Sequence, residues 1–581
     1  MQTCGDGDGH ASGAMYTGNL AASAATAGYV VLAEGGIELA KSLMTMTRLL
    51  AAILPLLALL IANVHATLKP TSDTKAVCDA LRARYPDKLV WDPLGPYGIT
   101  TLGRSSAYNS ANLDYWNAAS SLNRAACAFF PAATDEVAFA VQTLNRYESV
   151  RFALKAGGHN PNLGWSSVSG GVLVAFRPNF QTAQPAADGK TVVIGAGCKW
   201  EDVYGVLQPL GKTVTGGRLG DVGTTGLLLG GGLSYLSAQH GFACDNVLNF
   251  ETVLANGTVA HANATSNPDL FFALCGGGNR YAVVTKITME VFESGVGGQI
   301  WGGVRTYTED KHAAILAAVA RFTSENTDPK AAIIPTFDFA GVLALSVPVI
   351  LVTFFYDDVA VPAGIFDAFD AVRPLSDSTG VRTFVKLTEE ILGGDMKGLR
   401  FRIGVNSFPA MPGANMTAFL TDHYDLVKRR SVEAALKEPL DFKIFAFAVQ
   451  PMPRVIAQAS RDRNGVNALG VDPDHGDRVW IEYDLAWANP LCDVLCTQWL
   501  KSMVQEAHDL HVEKYSGIYP TNYQSGDLET LSYNPIFMND ALDSQPVLKS
   551  YGEQNRARLM AIQSAYDPHG FLMNRQDGPA F

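Results

Sequence analysis

Three glycine-rich segments constrain the fold of this chain most strongly. They cover residues 157–158, 216–232 and 276–279, and each follows an apolar run. Successive glycines expose backbone N–H groups and allow a polyanion to approach the main chain closely. One such segment alone is most often a tight turn, but three of them favour a cradle for a phosphate-bearing cofactor.

Two common nucleotide-binding motifs are missing from these segments. No G-x-G-x-x-G joins a first strand to a helix with an acidic residue about 20 positions further on, which excludes the usual dinucleotide fingerprint. No G-K-[ST] follows a glycine loop at the spacing of a P-loop. The chain has 44 Lys and Arg against 56 Asp and Glu, a net charge of −12, and this acidic balance argues against a nucleic-acid-binding protein.

Residues 122–295 alternate short apolar runs with glycine turns. The apolar spacing predicts two helices, over 134–145 with Thr134 as its cap and over 200–211. Residues 150–159 are predicted to be a strand that leads into a glycine turn, and strands are predicted over 171–176, 191–197 and 281–292. A hairpin over 247–262 would turn at Asn256-Gly257. Mixed helices and strands with short connections indicate an α+β domain.

Residues 296–530 have longer elements. Their pattern predicts helices over 313–322, 416–437 and 494–514 and strands over 345–357, 443–452 and 478–487. This spacing is typical of a sheet covered by helices on one side. Alternate residues of the strand 443–452 are apolar on both faces, either Ile444, Ala446 and Ala448 or Phe445, Phe447 and Val449.

The first 66 residues are expected to lie outside the fold. Residues 49–62 form an uncharged apolar run after Arg48, and the small residues Val64 and Ala66 follow at cleavage-site positions, as in a secretory signal peptide. A membrane span would need about 20 apolar residues. We therefore expect residues 44–66 to be a signal peptide and residues 1–43 a non-native or disordered extension. A signal anchor behind a disordered cytoplasmic tail is the alternative.

A secreted chain can carry glycans and disulfides. Sequons at Asn256, Asn263 and Asn415 fit that compartment. Neighbours four apart on a helix lie about 5–6 Å apart at Cβ, whereas a disulfide needs about 3.8 Å. We therefore interpret Cys492 and Cys496 as core thiols, and we expect no metal site because no His or Cys pair with zinc spacing lies nearby.

The glycine segments carry a resemblance to a known family. K-A-G-G-H-N-P-N-L-G-W-S-S at 155–167, V-G-T-T-G-L-L-L-G-G-G-L-S at 222–234, and G-G-G-N at 276–279 resemble the FAD-linked oxidases of the berberine-bridge-enzyme type, closest to fungal members. The C-terminal motifs Y-G-x-x-N at 551–555 and Y-D-P at 566–568 match as well. The resemblance covers essentially all of residues 75–581.

This resemblance implies a bipartite α+β FAD-binding domain followed by a substrate domain with an antiparallel sheet covered by helices. Residues 67–121 would begin the FAD-binding region and 122–295 would form its main domain. Residues 296–530 would form the substrate domain, and residues 531–581 would return to the FAD domain.

Cofactor roles follow from the same resemblance, residue by residue. His159 matches a histidine bonded to the flavin 8α-methyl, while Leu219 stands where many relatives have a second, cysteine linkage, so FAD would be singly attached. Val222 matches a position where a small residue admits oxygen. The resemblance implies that FAD is held by Lys155, Ala156, Gly157, Gly158, Asn160, Gly217, Val222, Gly223, Thr224, Gly226, Gly231, Gly232, Val284 and Asn539. It also implies a disulfide between Cys78 and Cys127.

The predicted strand 478–487 supplies a candidate base. Alternation places Glu482 and Asp484 on one face and Tyr483 on the other. I-E-Y-D-L-A-W resembles the family motif I-[QE]-Y-x-x-x-W, whose second residue lies beside the substrate, and a carboxylate between flavin and apolar walls would have a raised pKa. Glu482 is therefore the candidate base, with Asp540 and Tyr483 next in line.

The resemblance implies an oxidase that takes a hydride from a substrate and returns the electrons to molecular oxygen. Alternatives are a flavin dehydrogenase with another acceptor, an oligosaccharide oxidase, or a non-catalytic secreted glycoprotein. Apolar walls fit a small organic metabolite better than a sugar, which needs many hydrogen-bonding partners. Phe537 and Asp540 replace the two tyrosines of a family motif, which also points away from carbohydrate-oxidising members.

Overall fold

The computed structural model describes residues 70–342, 345–390, 396–465, 467–526 and 533–581. The predicted signal peptide and the extension before it lie outside the described residues. Among the helices of those ranges, none is long and apolar enough to cross a membrane.

Two larger sheets and one two-stranded sheet form the first half of the part of the chain that the structure describes. The first has the order β1-β2-β4-β3, antiparallel between β1 and β2 and parallel elsewhere. The second is antiparallel, with the order β5-β6-β10-β8-β9, and β7 pairs separately with β11. The strands are β1 Leu89–Trp91, β2 Cys127–Phe129, β3 Phe152–Lys155, β4 Val172–Ala175, β5 Ala183–Pro185, β6 Thr191–Gly195, β7 Lys212–Thr213, β8 Val247–Val253, β9 Val259–Ala262, β10 Val283–Glu290 and β11 Phe292–Glu293.

Short helices connect these strands. They are α1 Ser72–Arg84, α2 Ser105–Leu113, α3 Thr134–Asn145, α4 Trp200–Leu207, α5 Thr224–Leu229, α6 Ser237–His240 and α7 Pro268–Leu274. The glycine turn at 157–158 follows the end of β3, and α5 begins directly after Gly223. The first two glycine segments therefore lie where a strand ends or a helix begins.

The second half is built on an eight-stranded antiparallel sheet. Its order is β15-β12-β14-β13-β18-β19-β17, with β16 paired to β12. The strands are β12 Gln299–Thr308, β13 Ala331–Val342, β14 Leu345–Tyr356, β15 Ser376–Asp377, β16 Gly380–Thr383, β17 Arg400–Pro409, β18 Lys443–Met452 and β19 Arg478–Trp487. We call it the large sheet.

Helices cover one face of the large sheet. The long ones are α8 His312–Glu325, α11 Ala414–Lys437 and α13 Asp493–Tyr515, and α9 Asp367–Asp370 is a short one. The helices α10 Phe384–Glu390 and α12 Arg454–Asn464 instead pack against the core of the first half. The core between them contains Phe447, Tyr483 and Phe419, all fully buried. Apolar alternation along each strand and helix produces this layer, because each element buries one face.

The C-terminal segment contacts the first half of the molecule. It contains α14 Val547–Ser550, α15 Glu553–Tyr566 and α16 Phe571–Arg575. The buried guanidinium of Arg280 donates to the backbone carbonyls of Leu572, Met573 and Gln576. These contacts agree with a return to the FAD-binding region, while the boundaries at 121/122, 295/296 and 530/531 stay predictions.

The sequence patterns located most elements but missed others. The helix at 134–145 and the strands at 443–452 and 478–487 are observed at their predicted bounds. Thr134 as the cap is wrong: Ala133 is the N-cap residue, and the Thr134 hydroxyl donates to Glu251 instead. The edge strand β17 has ten consecutive buried residues, so it lacks the alternation by which a strand is recognised.

The described residues contain two disulfides, and one of them contradicts the sequence prediction. Cys78 and Cys127 are bonded, as the resemblance implied. Cys492 and Cys496 are also bonded, with their Cα atoms 5.3 Å apart. The prediction of two core thiols was wrong because it assumed a regular helix through both residues. Cys492 instead ends the 3₁₀ turn Pro490–Cys492 before α13 begins, which brings its side chain within bonding distance.

Candidate active site

The face of the large sheet opposite the helices carries the acidic residues. Glu482 of β19 pairs with Val405 of β17 and with Ala448 of β18. Asp484 lies opposite Ala446, which in turn lies opposite Asp338 of β13. Because side chains alternate along a strand, Glu482, Asp484 and Asp338 all project from this face.

Small and apolar side chains surround these carboxyls. Ala446 and Ala448 occupy the strand between β19 and β13, and Ile444 continues the same row. The larger residues Phe445 and Phe447 point to the helix layer. Of the two alternate sets predicted for this strand, the one with Ile444, Ala446 and Ala448 therefore lines this face.

Asp540 joins Glu482, Asp484 and Asp338 in what we call the acidic cluster, and Arg218 is the cation beside it. Asp540 ends the 3₁₀ turn Met538–Asp540, and Arg218 comes from the second glycine segment. Nη1 of Arg218 donates to Oε1 of Gln450 at 2.6 Å, and its Nη2 is 3.8 Å from Oδ2 of Asp540. Arg218 is thus the cation nearest to Asp540 in the described site.

The environment raises the pKa of every carboxyl in the cluster. Burial raises the pKa of Glu482, and Arg218 opposes this rise. Burial and the negative charge of Glu482 hold the pKa of Asp540 well above its usual range. Burial, with Glu482, Asp540 and Asp338 as neighbours, does the same to the pKa of Asp484. Burial alone raises the pKa of Asp338 to about 7. Such a group can accept a proton near neutral pH.

Tyr483 lies on the other side of β19. It is fully buried in the core beneath the helices, and its ring lies 6.1 Å from that of His423. The structure therefore brings Glu482 and Asp540 together but separates Tyr483 from both. This placement does not support Tyr483 as an alternative catalytic base.

His159 is held in the turn after β3. Its ring stacks on Trp116 with centroids 4.6 Å apart and planes 14° apart. Its Nε2 lies 3.7 Å from Oδ1 of Asp221. Burial lowers the pKa of His159 to about 4, with Lys199 and Lys397 acting in the same direction and Asp221 opposing. The imidazole is therefore neutral at neutral pH.

The histidine turn and the acidic face meet through Trp116. Its ring centroid is 4.0 Å from that of Phe401 on β17. Trp116, Phe401, Ile403 and Ala486 form one apolar cluster, and Ile403 pairs with Asp484. His159 and the carboxyls consequently border the same region of the large sheet.

Close backbone packing explains two of the glycines. A Cβ atom on Gly157 would lie 2.5 Å from the Cα of Gly223, and one on Gly223 would lie 2.6 Å from the backbone nitrogen of Gly157. A side chain at either position would separate the first two glycine segments. Gly231 and Gly232 have φ values of +99° and +75°, which favour glycine.

Asn539 supports the second glycine segment. Its Oδ1 accepts from the backbone N–H of Gly232 at 3.2 Å, and its Nδ2 donates to the carbonyl of Leu227 at 3.1 Å. A Cβ on Gly230 would lie 2.6 Å from the Asn539 amide. Asn539 thus holds in place the backbone of the second glycine segment, which the resemblance assigns to FAD binding.

Other predicted cofactor residues also act on the surrounding backbone. The buried Nζ of Lys155 donates to the carbonyls of Ala111 and Asp114. The Thr224 hydroxyl donates to the carbonyl of Cys198 at 3.2 Å. Val284 is buried in β10 opposite Thr252, and the Asn160 side chain accepts from the backbone of Asn162. These contacts shape the turns around His159 and Val222.

Sequence reasoning missed five residues of this site. They are Trp116, Arg218, Asp221, Asp338 and Gln450. A usable signal existed for Asp338, because it is a lone carboxylate in the apolar run F-D-F-A of β13. The contacts of Trp116 with both His159 and Phe401 depend on tertiary packing, so no local pattern reveals them.

Comparisons with known proteins agree with this architecture. A family model described as an FAD binding domain matches residues 125–263. An FAD-linked oxidoreductase of Arthroderma benhamiae, itself uncharacterized, is 31% identical over 483 residues, covering 82% of this chain and 91% of the relative. The FAD-dependent monooxygenase macF of Penicillium terrestre is 32% identical over 476 residues, covering 80% of this chain and 83% of the relative.

A solved structure supports the fold. Berberine bridge enzyme from Eschscholzia californica superposes with a TM-score of 0.61 at 17% identity, covering 87% of this chain and 99% of that one. The site also fits a flavin, because no hydrogen bond among the described residues occupies the imidazole of His159, which leaves a ring nitrogen for the cofactor. The chain therefore belongs to the family of FAD-linked oxidoreductases that the two fungal relatives represent, and it has the fold of berberine bridge enzyme.

Proposed function

We propose that this FAD-linked oxidoreductase is an oxidase that takes a hydride from a small organic metabolite and returns the electrons to dioxygen. The observation that carries the proposal is the placement of Glu482. Its carboxyl has a raised pKa and projects from the sheet face that His159 borders through Trp116 and Phe401. Substrate oxidation requires a base and a flavin next to the same surface, and His159 would hold the flavin there.

The chain's residues would hold FAD in defined roles. When bound, FAD accepts the hydride and reacts with oxygen, a chemistry that the protein itself does not supply. His159 would carry the single covalent attachment, because Leu219 offers no nucleophile for a second one. The turn at Gly157 and Gly158 would supply backbone N–H groups to the phosphates, whereas the N–H groups of Gly230, Gly231 and Gly232 are bonded within the chain.

Glu482 would remove a proton from the substrate. A carboxylate with a raised pKa is a stronger base than one in water, and positioned bases of this kind contribute about 10²–10⁴-fold to the rate. Arg218 favours the charged form of both Glu482 and Asp540 and so keeps Glu482 available as a base.

The lining of the site fits a substrate with an apolar body and a hydrogen-bond donor. Ile444, Ala446 and Ala448 provide an apolar surface, while Asp338 and Asp484 provide acceptors at either side of Ala446. A hydroxyl or amine group of a secondary metabolite would satisfy these acceptors. The Penicillium relative's name, FAD-dependent monooxygenase, supports a reaction that involves oxygen.

Aerobic peroxide release against a panel of phenolic polyketides, alkaloids and oligosaccharides tests the proposal. We expect turnover of an apolar metabolite, with one hydrogen peroxide released for each molecule oxidised. Turnover of an oligosaccharide alone would contradict the substrate class. Turnover only with an artificial electron acceptor would identify a dehydrogenase, and oxygen incorporation without peroxide would identify a monooxygenase.

A further inference from the structure

Asp221 is the carboxylate closest to His159 in the described site. Its Oδ1 lies 3.7 Å from Nε2 of His159, and that nitrogen is buried without a hydrogen-bond partner in the described residues. Trp116 stacks on the imidazole and fixes the plane of the ring. The ring is thus held on its face by Trp116, and Asp221 lies near one of its two nitrogens.

Covalent attachment places a strict demand on an imidazole. The attacking nitrogen needs a free lone pair, so the other nitrogen must carry the single proton of the neutral ring. A carboxylate near that second nitrogen favours this tautomer and stabilises the positive charge that develops when the first nitrogen forms its bond. Asp221 is placed to do this for Nε2, which leaves the lone pair on Nδ1.

We propose that Asp221 is a positioning residue for the attachment of FAD to His159. This inference rests on the covalent linkage in the proposed function. A bond forms between Nδ1 and the flavin 8α-carbon, which loses a proton, and Asp221 takes up the Nε2 proton. The two electrons of the broken C–H bond enter the flavin, and dioxygen then removes them together with two protons as hydrogen peroxide.

The chain offers matched variants for a test. Asp221→Asn keeps the shape but removes the charge, and Asp221→Glu restores the charge. Glu201→Gln neutralises a carboxylate of helix α4 close to Asp221, because the backbone N–H of Glu201 donates to the carbonyl of Gly220. His159→Ala removes the attachment point. Each full-length protein is incubated with excess FAD in air. Covalent flavin is measured as fluorescence of the denatured polypeptide, and released flavin is measured in the acid supernatant.

We expect Asp221→Asn to slow covalent attachment by at least about tenfold while total bound flavin is unchanged. Asp221→Glu should recover most of the rate, and Glu201→Gln should match the wild type. If Asp221→Asn attached flavin covalently at the wild-type rate while His159→Ala attached none, the inference would be overturned and the proposed function would remain intact. Loss of all flavin in both Asp221 variants would assign Asp221 to the folding of the loop and would also overturn it. Release of all flavin by the wild type would contradict the proposed linkage itself.

Discussion

Glu482 and Tyr483 are neighbours in the sequence but face opposite sides of β19. Glu482 projects toward Asp540 and Arg218, while Tyr483 is buried beneath the helices. At the residue scale, this alternation decides which side chain can reach a substrate. The two positions therefore make a matched pair for testing the base.

We expect Glu482→Gln to lower the rate of flavin reduction by about 10²–10⁴-fold at pH 7, because the amide cannot accept the proton. Tyr483→Phe should leave the rate within about twofold, since its hydroxyl lies outside the site. Stopped-flow measurement under anaerobic conditions records the reduction directly. Equal rates in Glu482→Gln and the wild type would move the base to another residue.

Arg218 lowers the pKa of Glu482, so its charge should set the pH dependence of the reaction. Arg218→Gln removes the cation, and the pKa of Glu482 should then rise further. A smaller fraction of Glu482 is then deprotonated at any given pH. The pH at which the flavin-reduction rate increases should therefore move to a higher value. Arg218→Lys retains the charge and should shift the profile less. The profile is measured from pH 5 to 9; identical profiles in all three proteins would show that Arg218 does not act on the base.

At the element scale, the two disulfides close loops of very different length. Cys78 and Cys127 are 49 residues apart, and Cys492 and Cys496 are 4 apart. Loop-closure entropy predicts a loss in stability of about 4 kcal/mol without the first bond and about 2 kcal/mol without the second.

Paired Cys→Ala variants of each disulfide should therefore differ in urea unfolding. We expect the pair Cys78→Ala and Cys127→Ala to lower the midpoint more than the pair Cys492→Ala and Cys496→Ala. Wild-type protein treated with a thiol-blocking reagent serves as the control for free thiols. A larger loss from the shorter loop would contradict the entropic account.

Element prediction from sequence succeeded where one periodicity dominates. Helix α3 and strand β19 were found because their apolar residues recur with periods of 3.6 and 2. Strand β17 is buried along its whole length, and the Cys492 turn interrupts the helical spacing that the cysteine prediction assumed. Local patterns give no information on either feature, because tertiary packing determines both.

At the scale of the whole molecule, the site is assembled from distant segments. His159 and Arg218 come from the first half, Glu482 from the large sheet, and Asp540 from the C-terminal segment. The resemblance identified His159, Glu482 and Asp540 through motifs. The site that contains these three residues also includes Trp116, Asp221 and Asp338. The positions of these additional residues depend on how the segments pack.

Processing in the secretory pathway is a prediction for the whole chain. Asn256 lies exposed in a hairpin turn and Asn415 lies exposed at the start of α11, whereas the Asn263 amide donates to Asn249 at 3.0 Å. We expect glycans at Asn256 and Asn415, lower occupancy at Asn263, and a mature N-terminus near Thr67. Peptide mapping of protein secreted from a eukaryotic host measures all three; an intact 1–43 segment would contradict the predicted processing.

Reaction of the reduced flavin with oxygen tests the oxidase proposal most directly, because it requires no knowledge of the substrate. The purified protein is reduced with dithionite under anaerobic conditions and mixed with oxygenated buffer in a stopped-flow instrument. We expect the oxidised flavin spectrum to return within seconds with one hydrogen peroxide per flavin, and Val222→Leu to slow this return. A reduced flavin that persists for minutes in air in the wild-type protein would contradict the account.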